Sequence, residues 1–211
     1  MILNGDFEEG FTEREAGELK VAVGWEPWWD ERDTRPEFKD AAPFANRIHT
    51  GAHAQQLFTK FATHTGGVYQ IIYGTTPGST LYFSAWVQAW SQMSDGSLGR
   101  YRMKIGIDPY GLVDPESHDV VWSNDGNAVQ PYDKYQKLEV ETLAKSDRCT
   151  VFVWGQAEWR VPDNNAYVDD AQLSVIGEPV PQPGLTEERV RQIVRAEMLD
   201  AVAQLAAILA A

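Results

Sequence analysis

The sequence predicts an all-β fold, an antiparallel jelly-roll β-sandwich over residues 1–177. A Pro-rich linker (178–185) and a single C-terminal α-helix (186–211) follow it. Three observations carry this expectation. Short segments alternate apolar and polar side chains at period two. Gly, Pro and Asn turns separate them, and no helical run intervenes before about residue 177. The register then changes at Glu178-Pro-Val-Pro-Gln-Pro-Gly184, a stiff spacer.

Met1-Ile2-Leu3 reads as a short first strand running into an acidic turn, Asn4-Gly5-Asp6-Phe7-Glu8-Glu9-Gly10. This start has no basic stretch and no apolar segment, so no signal peptide is expected in the chain. The expected setting is extracellular or a virion surface, reached after trimming of an export signal or by lysis. Residues 26–45 contain Pro27, Pro36 and Pro43 and read as one long loop. Gly67-Val-Tyr-Gln-Ile-Ile-Tyr73 reads as a strand ending at the turn Gly74-Thr-Thr-Pro-Gly78. Leu81 to Trp90, Tyr101 to Ile107 and Thr150 to Trp159 alternate in the same way. Irregular stretches begin at Asp108-Pro-Tyr-Gly and at Ser123-Asn-Asp-Gly. The last strand holds Tyr167-Val-Asp-Asp-Ala-Gln-Leu-Ser-Val175.

In the tail, Thr186 is the expected N-cap, with Glu187 and Glu188 in the first turn where the helix dipole favours them. Its apolar stripe includes Val190, Val194, Met198, Val202, Leu205 and Leu209, and the eleven residues after Asp200 carry no charge. Eleven residues are too few to span a bilayer, which takes about 20. The stripe is expected to drive homo-oligomerisation; docking on another protein or on its own domain are the alternatives.

Composition narrows the partners. The 211 residues carry 31 Asp and Glu against 18 Lys and Arg, a formal charge of −13. That balance lacks the basic footprint of a nucleic-acid binder and leaves neutral polymers and cations as partners. The single Cys149 lies in an apolar strand pattern, reads as core, and leaves no partner for an intrachain disulfide. Eight Trp is high for this length, and some of these rings are expected on a surface platform.

Strand alternation divides the side chains into faces. Phe83, Ala85, Val87 and Ala89 share one face with core character, as do Met103, Ile105 and Ile107, and Val151 and Val153. The opposite faces carry Trp86, Gln88 and Trp90; Arg102 and Lys104; and Trp154, Gln156 and Glu158. Flat aromatics beside planar amides and charges suit a sugar, whose C–H faces stack on indole and whose hydroxyls need polar partners. The alternative is an outer face covered by a loop or a neighbouring subunit, with Trp86 and Trp154 as a second core layer. Trp25 reads as core. Of Trp28 and Trp29, one is expected to pack inward and the other to be a rim platform.

The chain resembles the carbohydrate-binding modules of families 4, 9 and 22, within the galactose-binding-like jelly rolls. The resemblance rests on Asn4-Gly5-Asp6-Phe7-Glu8, Gly51-Ala-His-Ala-Gln-Gln-Leu57, Gly67-Val-Tyr-Gln-Ile, Thr76 to Trp86 and Tyr167-Val-Asp-Asp, and it spans residues 1 to about 176. It implies a non-catalytic module that binds a polysaccharide or cell-surface glycan. It also implies one structural Ca²⁺ where the first and last strands meet. The implied side-chain ligands are Glu8 and Asp169, with Asp170 as the alternate and carbonyls near Gly51 to His53 completing the shell. The rival expectation is a structural, decoration or adhesion subunit of a virion or other surface assembly. The tail helix and the absence of an attached enzyme favour it.

Catalytic sets are sparse. His49 and His53 are four apart across a Gly, which argues against a zinc pair on a helix. No phosphate-binding Gly loop or nucleophile elbow is present. Glu158 with Asp108 is the one carboxylate pair that alternation places on a common face.

Overall fold

The computed structural model describes residues 1–176. The expected linker and tail helix lie outside the described residues. Twelve strands form two sheets that pack face to face. They are β1 (Phe11–Arg14), β2 (Leu19–Ala22), β3 (Glu26–Trp29), β4 (Glu37–Asp40), β5 (Gln55–Thr59), β6 (His64–Tyr73), β7 (Thr80–Gln92), β8 (Tyr101–Asp108), β9 (Val121–Trp122), β10 (Gln136–Leu143), β11 (Arg148–Ala157) and β12 (Asp163–Ile176). One sheet has the order β1-β2-β4-β5-β12-β7-β10, the other β3-β6-β11-β8-β9. Every pairing is antiparallel except the short contact of β2 with β4, where Leu19 stands opposite Phe38.

Period-two alternation builds the core. Leu81, Phe83, Ala85, Val87 and Ala89 of β7 face Tyr101, Met103, Ile105 and Ile107 of β8 and Val151 and Val153 of β11. All are buried, and each large side chain contributes about 1.5–3 kcal/mol relative to exposure. Cys149 belongs to this layer, and burial pushes its thiol up to about 12. Trp25, 1% exposed, stacks on Phe7 and donates its indole N–H to the Asn4 carbonyl.

Two expectations are corrected. Residues 26–45 are not one loop, because they contain β3 and β4. Pro27 is compatible with β3 because β3 is an edge strand and the missing N–H costs no ladder bond. Residues 1–3 are also not a ladder strand. The Gln70 side chain holds Leu3 instead, accepting from its N–H at 2.7 Å and donating to its carbonyl at 3.0 Å. The acidic turn does meet the last strand. Ala171 donates its N–H to the Gly5 carbonyl at 2.8 Å, and a Cβ at Gly5 would stand 2.2 Å from the Ala171 oxygen. This junction coincides with a bulge between Asp169 and Gln172 that interrupts the β12–β7 ladder.

A closed polar chain sits at the start of β6. Thr59 donates its hydroxyl to the Ala62 carbonyl, so His64 must donate Nδ1–H to Thr59. Nε2 of His64 then accepts from the Tyr101 hydroxyl at 2.7 Å. His64 is 0% exposed, and desolvation drives its pKa down to about 3.

Candidate functional site

The sandwich separates the predicted sugar-binding residues. Trp86, Gln88 and Trp90 project from β7 on the outer face of the seven-stranded sheet. Arg102, Lys104, Trp154 and Gln156 project from β8 and β11 on the outer face of the five-stranded sheet, with Glu158 just beyond the end of β11. The two faces look in opposite directions, so one ligand cannot span the whole set.

On the five-stranded sheet, Trp28, Gly67, Trp154 and Lys104 form one cross-strand row. Trp28 faces outward and Trp29 packs against the core, as adjacent strand residues must. The Trp28 indole donates to the Val153 carbonyl at 3.2 Å across Gly67, where a Cβ would stand 1.8 Å from that carbonyl. The Lys104 ammonium lies 4.9 Å from the Trp154 ring and 4.2 Å from the Trp122 ring. Desolvation lowers its pKa, and Arg102 adds to the shift. Arg102 donates to Gln156 at 3.1 Å, Gln156 to Thr65 at 3.2 Å, and Glu158 pairs with both Arg100 and Arg102. Phe152, Thr150 and Asp108 are fully buried although they point outward. Arg102, Gln156 and Glu158 are therefore spent on one another and their neighbours.

Asp108 stands opposite Thr150, and Glu158 is eight residues further along. At 3.3 Å per residue the two carboxylates are about 26 Å apart. A glycosidase pair needs about 5–10 Å, so these two cannot flank one bond.

The seven-stranded sheet differs. Trp86 is covered, because His49 stacks on it at 4.0 Å with the planes 18° apart. Gln88, 3% exposed, donates to the Asn46 carbonyl and accepts from Arg47. Both support the loop 41–53 and do not form an open face. Beside that loop runs an open groove of about 430 Å³. Its aromatic lining is Phe44, Trp90, Tyr167 and Phe58, and its planar polar groups are Asn46, Gln56, Asn165 and Arg47. The groove crosses strands in register: Phe58 opposes Asn165, which opposes Trp90, and Gln56 opposes Tyr167. The Arg47 guanidinium is fixed 4.6 Å over Trp90, 5.4 Å over Tyr167 and 2.7 Å from Asp133. Tyr132 stacks on Trp90 at 5.3 Å, and Gln56 donates to Asn165 at 2.6 Å. Burial pushes the Tyr167 phenol up to about 12, so it stays a neutral donor. Of this set, strand alternation singled out only Trp90.

Glu8, Asp169 and Asp170 flank the turn at residues 49–53. Glu8 accepts from the N–H groups of Ala52 and His53 at 2.8 and 2.9 Å. Asp169 accepts from His49 and Thr50, and Asp170 contacts the His49 imidazole at 2.6 Å and the Thr50 hydroxyl. Desolvation, opposed by those N–H donors, lifts the Asp169 pKa to about 6. Among the described residues no three His, Cys, Asp or Glu side chains converge closely enough to hold a metal ion by themselves. Also among them, no helix is long and apolar enough to cross a membrane.

No family model matches the chain, and no curated protein matches it. Solved structures do. A family 61 carbohydrate-binding module in complex with β-1,4-galactotriose superposes with a TM-score of 0.53 at 15% identity, over 83% of this chain and 98% of that one. A family 4 module aligns at 0.47 and 14% identity, over 83% of this chain and 100% of that one. A family 16 module aligns at 0.45 and 15% identity, over 82% and 98%. The first of these superpositions, with the two packed sheets, shows the jelly-roll fold that carbohydrate-binding modules have, as the motifs led us to expect.

Proposed function

We propose that the protein is a non-catalytic carbohydrate-binding module whose ligand lies in the groove beside residues 41–53. The observation that carries this is the grouping of Trp90, Tyr167 and Phe58 with Gln56, Asn165 and Arg47 in one open groove. Phe44, 60% exposed, offers the open stacking surface for a C–H face, while Trp90, held between Arg47 and Tyr132, and the buried Tyr167 and Phe58 form the apolar floor beside it; the amides offer paired donors and acceptors for hydroxyls. Such a role places the protein outside the cell or on a virion surface. Calorimetric titration against β-glucan, xylan, mannan and galactan tests it. Phe44→Ala should weaken glycan binding about tenfold, the loss of about 1.4 kcal/mol of stacking. Absence of binding to every polymer removes the proposal.

The same proposal includes a structural Ca²⁺ held by Glu8 and Asp169, with Asp170 as the alternate and backbone carbonyls near Gly51 to His53 as the remaining donors. The ion would tie the turn to β12 more firmly than its amides do. The alternative role, a structural or decoration subunit of a surface assembly, depends on the stripe from Val190 to Leu209, outside the described residues. Truncation of the tail tests it independently of the groove.

A further inference from the structure

We propose that the groove selects an acidic glycan, a polymer bearing carboxylate or sulfate groups. This rests on the groove being the glycan site. Its lining contains Lys39, Arg47 and Lys60 against one acid, Asp163. That local balance is the reverse of the chain's, which has 31 acids and 18 bases.

The cations differ in availability. Arg47 is already committed to Asp133 and to the faces of Trp90 and Tyr167. Among the described residues, neither Lys39 nor Lys60 has a carboxylate within ion-pair distance, whereas Arg14, Arg32, Arg35, Arg100 and Arg102 all do. Lys39 holds its ammonium 4.3 Å over the Phe58 ring, at the wall of the groove. Glu37 stands opposite Phe58 in the ladder but does not line the groove. At physiological ionic strength, charges more than about 8 Å away are largely screened. Asp163, Asp133 and Glu37 lie within that range and offset part of the local charge, Lys39 and Lys60 remain the ammonium groups without an ion-pair partner, and most of the total of −13 acts at a distance.

Their spacing indicates a polymer. Lys39 pairs with Gln56, and Lys60 follows four residues after Gln56. Their attachment points are about 13 Å apart along β5, a span suited to successive charges on a chain and not to a single small anion. A lysine ammonium is a compact point charge without a fork geometry, so carboxylate and sulfate are both accepted. Two free ammonium groups are few for a nucleic acid, whose binders neutralise many phosphates at once.

The test uses the full chain and measures affinity by calorimetry at low and raised salt. The probes are polygalacturonate and its methyl ester, dextran sulfate and dextran, and a single-stranded oligonucleotide. We expect polygalacturonate or dextran sulfate to bind at least tenfold tighter than its uncharged counterpart, with the advantage lost at high salt. Whichever of the two binds identifies the source of the charge. In the Lys39→Gln/Lys60→Gln double variant, folded by its melting profile, the ratio of charged to uncharged affinity should fall at least tenfold. Equal affinity for charged and uncharged polymers, unmoved by salt and by the double variant, overturns this inference and leaves the groove reading intact. No glycan binding at all removes both. Tighter binding of the oligonucleotide than of any glycan overturns it in favour of a nucleic-acid site.

Discussion

His64 makes stability depend on acid in a calculable way. Its neutral imidazole completes a one-directional chain: Tyr101 donates to Nε2, Nδ1–H donates to Thr59, and Thr59 donates to the Ala62 carbonyl. A second proton on Nε2 would face the Tyr101 hydroxyl and would sit, charged, where nothing is exposed. The folded pKa is about 3, against about 6.5 in the unfolded chain. Between these values the unfolded state binds more protons, so the contribution is complete above about pH 6.5 and is lost as pH falls. At about pH 4.5 the unfolded chain gains two pH units of protonation energy, or about 3 kcal/mol. Urea unfolding of wild type and His64→Gln at about pH 7 and about pH 4.5 isolates this term, because the other titrations are common to both proteins. Wild type should lose about 3 kcal/mol more than the variant over that interval. Nitrogen NMR of the imidazole gives a second readout and should show it neutral down to about pH 4. Equal losses in the two proteins, or a His64 that titrates near 6.5, refute the reasoning.

Three further outcomes are expected. Gly67→Ala should destabilise by roughly 1–3 kcal/mol, seen as a lower melting temperature, because its Cβ would overlap the Val153 carbonyl and displace Trp28. If Ca²⁺ is held by Glu8 and Asp169, chelation lowers the melting temperature and added Ca²⁺ restores it, since a ligand of the native state alone stabilises by mass action; an unmoved transition leaves these acids as amide acceptors. Truncation after Glu178 should reduce the mass seen by light scattering, because each buried Leu or Ile of the tail stripe contributes about 1.5–3 kcal/mol. If both forms run as monomers and Leu205→Asp changes nothing, self-association through the tail is excluded.

Alternation made the inner and outer sides of β7, β8 and β11 legible, and with them most of the core. The expectation that one of Trp28 and Trp29 packs inward was made for a loop, and it is their place on β3 that turns them to opposite sides. Membership of a sheet was not legible, because it depends on pairings between residues far apart in sequence. The strand of Trp86 pairs with β12 and β10, and that of Trp154 with β6 and β8, so two similar faces ended on opposite sides. Arg47 was hidden for a different reason. It belongs to an irregular segment whose position is set by Gln88, Tyr135 and the acids flanking 49–53, and no local pattern encodes that. β3 was concealed by Pro27, whose turn signal is strong unless the strand is known to lie at an edge, and the four-residue β4 by Pro36 before it and Pro43 after it.

The N-terminal turn and β12 clasp the segment that carries Arg47 and His49, through Glu8 on one side and Asp169 and Asp170 on the other. The wall of the groove is thus fastened at the place where the beginning and end of the sandwich come together. If the groove is the glycan site, recognition and closure of the fold are mechanically coupled. A fusion partner that pulls on β12 would reach the same wall from behind. On that reading, tension at the seam would release the polymer without any change to the residues that line the groove.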